Sequence, residues 1–294
     1  MSQLLLPGMP ERDKIVNVAS VPHRSPFRYP GGKTWLVPKI RRWLCSQGGQ
    51  PRELVEPFAG GGIVGLSVAF EGLAKHVTLV ELDEQVAAVW QTILEGNVDW
   101  LIKRIGDFDC TLDNVVEEMA KTPRSTQQRA FQTILKNRTY HGGILAAGSA
   151  PLKNGENGKG VSSRWYATTI QRRIADIASI RDRITFVHGD GLEVMERVAE
   201  DDDVVHFIDP PYTAAGKKAG RRLYNCFELD HERLFDIAAG VSGDVLLTYD
   251  DAEGVRDLAA SHGFEVELVA MQNTHLAKMK ALLIGPDLSW AREE

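Results

Sequence analysis

Residues 52–82 read RELVEPFAGGGIVGLSVAFEGLAKHVTLVEL. The apolar run in RELVEPF (52–58) predicts a buried strand. AGGGIVGLSVAFEG (59–72) predicts a glycine turn and a helix, with Gly72 at its C-cap. HVTLVEL (76–82) predicts a second strand. Strand, turn, helix and strand in this order make a βαβ unit, so the two strands run parallel with a right-handed crossover. Gly60-x-Gly62-x-x-Gly65 stands between strand and helix, the context a nucleotide-binding turn needs. Glycine lets the backbone approach a ligand, and a helix N-terminus offers free N–H groups. Glu81 lies at the end of the second strand, 21 residues after Gly60, where a carboxylate can accept both hydroxyls of a ribose. The same pattern fits a dinucleotide dehydrogenase, or a tight turn with no ligand.

Outward from this unit, DEQVAAVWQTILEG (83–96) reads as a helix. DWLIKRIGDF, LDNVVEEMAK and TQQRAFQTILKNR continue in helical periodicity to residue 138, and helical pattern returns over 165–181. Between them, 139–166 is a loop rich in Gly, Asn and Ser. Strand patterns resume with ITFVHGD, VVHFIDPPY, VLLTYD, FEVELVAM and KMKALLIG. The expected class is therefore α/β. Residues 25–100 and 181–294 form one sheet domain, 101–180 is an inserted, mostly helical module, and 1–24 is a loose arm without periodicity. RYPGGKTWLVPKIRRWL (28–44) reads as a glycine turn leading into an amphipathic helix. It is not a P-loop, because Phe27 stands where GxxxxGK[ST] needs glycine. A Gly-Gly-Lys turn at a helix start presents Lys33 either to a carboxylate or to solvent.

The chain has 294 residues, 43% hydrophobic and 25% charged, ordinary for a protein that buries a core. Three cysteines without a CxxC argue against a disulfide framework or a zinc site and for a reducing, cytoplasmic compartment. No secretory leader or membrane span is expected, since there is no run of about 18 apolar residues. The net charge of -6 hides an asymmetry. From Lys121 to Arg183 there are 12 Lys and Arg against three acids (Glu156, Asp176, Asp182), a local +9 that leaves -15 for the rest.

FIDPPYT (207–213) ends an apolar strand in an acid, two prolines and an aromatic. The prolines stop any helix and stiffen the next few residues. Asp209 is thereby held at the strand's carboxyl end, where open α/β sheets build their sites. A lone Asp-Pro would be no more than a stiff turn. Here RYPGGKTWLVPKI, LVEPFAGGGIVG, VELDE and FIDPPY occur one after another in order, and LKNRTYHGG (135–143) lies between the last two. This ordered set resembles the Dam-like, D12-class DNA adenine-N6 methyltransferases, the alpha group of amino-methyltransferases, over about residues 25–285. The resemblance implies a Rossmann-like S-adenosylmethionine-dependent methyltransferase sheet with an inserted DNA-recognition module, acting on a flipped-out adenine of double-stranded DNA without a metal.

By motif, the resemblance puts Tyr29 and Lys33 beside S-adenosylmethionine, with Lys33 near its carboxylate. Glu56, Phe58, Gly60 and Gly62 surround its methionine part, Glu81 binds the ribose, and Asp190 faces the adenine or else caps the next helix. Asp209, Pro210, Pro211 and Tyr212 form the catalytic motif. Asp209 and the Pro210 carbonyl accept the two N6–H bonds, and Tyr212 stacks on the base or covers a sheet edge. Arg124, Lys136, Arg138, Lys153, Lys159 and Arg164 in the insert, and Lys217, Lys218, Arg221 and Arg222 in GKKAGRR, are the candidate DNA contacts. Arg138 either reads a base edge or buttresses the following loop. The chain departs from the family pattern twice. Thr248-Tyr249-Asp250 stands where Ser-Asn or Ser-Asp is usual, and Ala281 where a glutamate is common. Both touch the target pocket, so cytosine-N4, RNA or protein-amide methylation stay open as alternatives. A DNA-binding protein without catalysis would have a broken motif, and a nicotinamide dehydrogenase leaves Lys33, DPPY and the basic insert unexplained. A restriction nuclease as partner, and the oligomeric state, are left open by the sequence.

Overall fold

The computed structural model of the chain describes residues 21–28, 32–146, 148–211, 229–272 and 278–292. Seven strands form one sheet: β1 (Glu53–Glu56), β2 (His76–Glu81), β3 (Ile184–His188), β4 (Val204–Ile208), β5 (Val245–Asp250), β6 (Glu265–Gln272) and β7 (Lys278–Gly285). Their order is β3-β2-β1-β4-β5-β7-β6. The first five are parallel, and β7 inserts antiparallel between β5 and β6. Helices cover both faces, which is why β4 is buried at every position and reads as an apolar run interrupted only by His206. The expected α/β sheet is present, assembled from the two outer parts of the chain. Between β1 and β4 the order reverses, the switch point at whose carboxyl ends open α/β sheets form their ligand crevice.

The first crossover bears out the glycine reading. Gly62 is left-handed at the N-cap of α2 (Ile63–Glu71), and Gly72, also left-handed, closes its C-terminus. At Gly65 an added Cβ would lie 2.5 Å from Leu79 and 2.6 Å from Glu56 Oε2, so helix and strand pack closer there than any side chain allows. After β2, Asp83 caps α3 (Glu84–Leu94) by accepting from the Gln85 and Val86 amides. Before β1, a 3-10 turn (Lys33–Leu36) runs into α1 (Val37–Ser46).

The middle of the chain is helical as expected: α4 (Val98–Asp107), α5 (Leu112–Ala120), α6 (Thr126–Thr139) and α7 (Ala167–Ala178). Asn97, Thr111 and Ser125 cap the first three through side-chain oxygens. These helices have no core of their own. Leu101, Ile105, Phe131, Ile170 and Ile174 join one apolar cluster with Val77, Leu79 and Trp90 of the sheet domain. The second face of the sheet is covered by α8 (Gly191–Arg197), α9 (His231–Gly240) and α10 (Glu253–Ser261), while the short α11 (Ser289–Arg292) packs on α1.

The arm needs correcting where it is described. Residues 21–24 are docked: Val21 is buried, and Arg24 lies over the Phe70 ring and 3.7 Å from Glu71. The apolar ring and the carboxylate of α2 give this segment a fixed seat that periodicity could not reveal. Among the described residues, no helix is long and apolar enough to cross a membrane.

Candidate active site

The crevice at the sheet's switch point collects the motif residues from four strand ends. Asp209 follows β4. Its carboxylate is held by Lys33, whose Nζ lies 2.7 Å from Oδ1 and 2.8 Å from Oδ2. Thr248, fully buried on the neighbouring strand β5, donates from Oγ1 to Oδ1 at 2.9 Å. Lys33 is itself 4% exposed, so its ammonium has left water for this carboxylate. The pair is thus desolvated, charge-balanced and fixed from two sides. Lys33, expected beside the cofactor carboxylate, has its ammonium on Asp209 here, joining the first and last motifs. The following Pro210 is buried and Pro211 partly so.

Glu56, at the end of β1, points into the seam under α2 and accepts from the Gly65 amide at 2.7 Å. Burial pushes its carboxyl up to about 8, the Asp209 charge adds to this, and the Gly65 bond and Lys33 oppose it. Glu81 ends β2 and ties the turn to the sheet. Oε2 accepts from the Gly60 amide at 2.9 Å, and Oε1 from the Asp83 amide at 2.8 Å. Burial raises this carboxyl too, to about 7. Phe58 is half-buried against the apolar cluster on the far face of the sheet. Gly60 and Gly62 both have positive φ, and a Cβ on Gly62 would meet the Trp90 ring at 2.9 Å. Asp190 accepts from the Leu192 amide at 2.8 Å and is the N-cap of α8, one of its two expected roles.

Two neighbours of the glycine turn, Trp90 and Leu82, escaped the sequence reading. Trp90 donates from Nε1 to the Gly60 carbonyl at 3.0 Å and braces the turn from α3. Leu82, beside Glu81, is 53% exposed. Asp250 lies close enough for Lys33 and Asp209 to act on its charge, and burial raises its pKa. Strand alternation explains the Thr248-Tyr249-Asp250 departure. Thr248 and Asp250 share the face of Asp209. Tyr249 points the other way, buried beside Phe235 with its hydroxyl 2.9 Å from His231 Nδ1. The register sets Asp250 opposite Ala281, so this strand pair carries a carboxylate on β5 where β7 has none.

The insert's candidate DNA contacts divide into two sets. Arg124, Lys153 and Lys159 are exposed. The others are turned inward. Lys136 Nζ donates to the Leu145 carbonyl at 2.6 Å, and Arg164 is paired with Glu156 at 2.6 Å. Arg138 is 4% exposed and donates to the Pro26 carbonyl. As a reader of base edges Arg138 is therefore corrected: the guanidinium is beneath the surface and staples the chain leading to Lys33. Neighbouring Asn137 clamps one residue of the same segment, accepting from the Arg28 amide at 2.8 Å and donating to the Arg28 carbonyl at 3.0 Å and the Gly143 carbonyl at 2.8 Å. Tyr29, Tyr212, Lys217, Lys218, Arg221 and Arg222 lie outside the described residues. Among the described residues, no group of three or more His, Cys, Asp or Glu side chains is arranged to hold a metal ion.

The model of the D12 class N6 adenine-specific DNA methyltransferase family matches residues 29–274, most of the chain and every strand up to β6. The chain belongs to this family. Among curated relatives, the DNA N-6-adenine-methyltransferase of Escherichia phage P1 is 26% identical over 275 residues, 88% of this chain. The chain spans only 34% of that relative's length. The type II methyltransferase M.MjaIII of Methanocaldococcus jannaschii is 21% identical over 224 residues, 70% of this chain and 75% of the relative. Among solved structures, a precorrin-6y C5,15-methyltransferase of Geobacter metallireducens aligns with 88% of this chain and 91% of its own at 10% identity, with a TM-score of 0.39.

Proposed function

We propose that this D12-class chain transfers a methyl group from S-adenosylmethionine to the N6 amine of an adenine swung out of duplex DNA. The observation that carries the reading is the Asp209 carboxylate, fixed between Lys33 and Thr248 at the switch point of the sheet. When bound, S-adenosylmethionine supplies an electrophilic methyl sulfonium. The residues present suit such a ligand. Glu56, Glu81, Asp190 and Asp209 end or follow four adjacent strands around the crevice, an acidic lining for a molecule with a sulfonium, an ammonium and ribose hydroxyls. Burial has raised the pKa of Glu56 and of Glu81, and a cation placed beside them relieves that cost. Each Glu81 oxygen keeps acceptor capacity beyond its backbone bond for a ribose hydroxyl. Exposed Leu82 offers the adjoining apolar surface for the cofactor's adenine, with Asp190 at the end of the next strand.

Adenine N6 is a weak nucleophile because its lone pair is delocalised into the ring. Asp209 accepts one N6–H, and the Pro210 carbonyl accepts the other. Two fixed acceptors favour a pyramidal nitrogen and stabilise the positive charge that grows on it during transfer. Lys33 and Thr248 hold the carboxylate in one plane, so no reorganisation is needed when the base arrives. The prolines limit backbone motion at the same point. A base inside the duplex cannot reach this crevice, so it must be extruded. The basic insert supplies the electrostatic attraction to the phosphate backbone, with Arg124, Lys153 and Lys159 as its exposed cations. The two parts of the chain divide the work: residues 25–100 and 181–294 carry the chemistry, and 101–180 hold the DNA.

The test is methyl transfer from isotopically labelled S-adenosylmethionine to duplex DNA, RNA and protein substrates, with the methylated base identified after digestion. The expected product is N6-methyladenine in DNA. Asp209→Ala should lower the rate by about 10²–10³ or more while cofactor affinity stays near that of the parent. Label in cytosine, RNA or protein, or normal turnover by Asp209→Ala, overturns the reading.

A further inference from the structure

The inward-facing cations of the insert do more than staple a loop. Three arginines and a histidine crowd one stretch of backbone. Arg138 on α6 donates through Nη2 to the Pro26 carbonyl, and Arg173 on α7 donates through Nη1 to the Ser25 carbonyl at 3.1 Å. The Nε of each is buried without a hydrogen-bond partner. Among the described residues, neither guanidinium has a carboxylate partner. Arg28 closes the group from the exposed side, where among the described residues the acid within reach is Glu156, 3.7 Å away and already paired with Arg164 at 2.6 Å.

The crowding is felt by Arg138 and His23. After burial itself, Arg173 and Arg28 are the largest influences pulling the Arg138 pKa down. Burial, then Arg173, Arg138 and Arg28, lower that of His23. Arg24, only a few residues away, makes the contrast. Its Nε is also buried without a partner, but its charge lies 3.7 Å from Glu71 and over the Phe70 ring. Burying a charge without a counter-ion costs several kcal/mol, and an apolar side chain of similar volume would pack there more cheaply. Two neighbouring arginines, Arg138 and Arg173, with unmet buried donors and no carboxylate partner among the described residues make a place short of one anion.

We propose that Arg28, Arg138 and Arg173, with His23 at the rim, form an anion pocket that takes one phosphodiester of the DNA backbone. The nature of the anion rests on the nucleic-acid reading above, whereas the pocket itself rests on the guanidinium groups of Arg138 and Arg173, which have no carboxylate partner among the described residues. Arg28 and Arg173 make the contacts, and Arg138 adds its charge from below. The position gives the contact a consequence. Ser25 to Arg28 lead into the Gly-Gly-Lys turn, and Lys33 at its end holds Asp209. Asn137 clamps Arg28 through its amide and its carbonyl. A phosphate bound here fastens the nucleic acid to the same short segment that ends at the catalytic carboxylate's counter-ion.

The experiment uses the full chain, the variants Arg173→Gln and Arg28→Gln, and Lys75→Gln, an exposed lysine on the sheet domain, as control. In one arm, melting is monitored in sodium phosphate and in sodium chloride of equal ionic strength. Phosphate is expected to raise the melting temperature of the parent and of Lys75→Gln, and to do so less in either arginine variant. In the other arm, binding of a fluorescent duplex is measured across salt concentrations. Each arginine variant should weaken binding and lower the slope of log K against log salt by about one, and Lys75→Gln should leave it unchanged. Arg28→Gln removes an exposed side chain, so the test survives if Arg173→Gln fails to fold. Equal melting of the parent in the two salts overturns the pocket. Duplex binding with unchanged slopes in the arginine variants overturns the phosphodiester assignment and leaves the methyltransferase reading standing. A phosphate effect in a parent that binds no duplex overturns both the DNA assignment and the proposed substrate, and leaves an anion pocket.

Discussion

The carboxyl edge of the sheet and the helical insert both bury charged side chains, but they answer those charges differently. At the sheet edge three carboxylates meet an opposite charge or a directed donor: Lys33 and Thr248 on Asp209, the Gly60 and Asp83 amides on Glu81, the Gly65 amide on Glu56. In the insert and the segment before it, buried donors meet neutral carbonyls: Lys136 on Leu145, Arg138 on Pro26, Arg173 on Ser25. The first arrangement is balanced and fixes the geometry of one carboxylate. The second holds loops in place and leaves positive charge uncompensated. Losing a partner should therefore strand a charge at the sheet edge, and loosen a segment in the insert.

The largest effect that would break this contrast is expected at Lys33. Lys33→Ala leaves Asp209 in the crevice without its counter-ion. Methyl transfer should drop by about 10²–10³, and stability by about 3 kcal/mol. A single-turnover rate near that of the parent would mean that the pair does not hold the catalytic geometry. Next comes Asn137→Ala, which removes three buried hydrogen bonds at roughly 1 kcal/mol each. A urea titration should find the loss in the midpoint, and an unchanged midpoint would deny the staple.

A third test separates the regions by pH. The Glu56 carboxyl is raised from 4.5 to about 8, so the unfolded chain ionises it first. Its contribution to stability is full below its unfolded pKa and is lost as pH rises through about 8. Glu56→Gln keeps the shape and an acceptor for the Gly65 amide but cannot ionise. It should match the parent in acid and exceed it at alkaline pH, as read from urea midpoints across the range; parallel curves would show that Glu56 is not buried as described. The smallest effect is expected at Lys159→Ala. This side chain is exposed and should change stability by less than about 0.5 kcal/mol, while the salt slope of duplex binding falls by about one.

The strands of the sheet were legible because each is an apolar run stopped by a marked break. VVHFI ends at Asp209-Pro210-Pro211, and VLLTYD spans β5 as read. The glycine turn was legible because Gly62 and Gly72 serve as left-handed caps, a demand visible in the residue type itself. The partner of Lys33 was not, because it lies 176 residues away and nothing local in either motif points to the other. Arg138 was misread for a related reason. Arginine is charged, charge suggests a surface, and only the docking of residues 25–28 against α6 reveals that this guanidinium is covered. The seat of Val21 and Arg24 was hidden likewise, since a segment without periodicity leaves no trace of what it packs against.

By itself, the sequence determined the βαβ start, the class of sheet, the ordered motifs that mark the family, and the position of an acid at the end of β4. These come from properties carried over a few residues: side-chain period, the φ freedom of glycine, the stiffness of paired prolines. Tertiary structure alone decided which charges neutralise one another, which cations remain for a ligand, and that the insert shares the core of the sheet. Those outcomes depend on distances between residues remote in the chain. In a buried crevice a shift of an ångström or two decides whether a charge is paired or stranded.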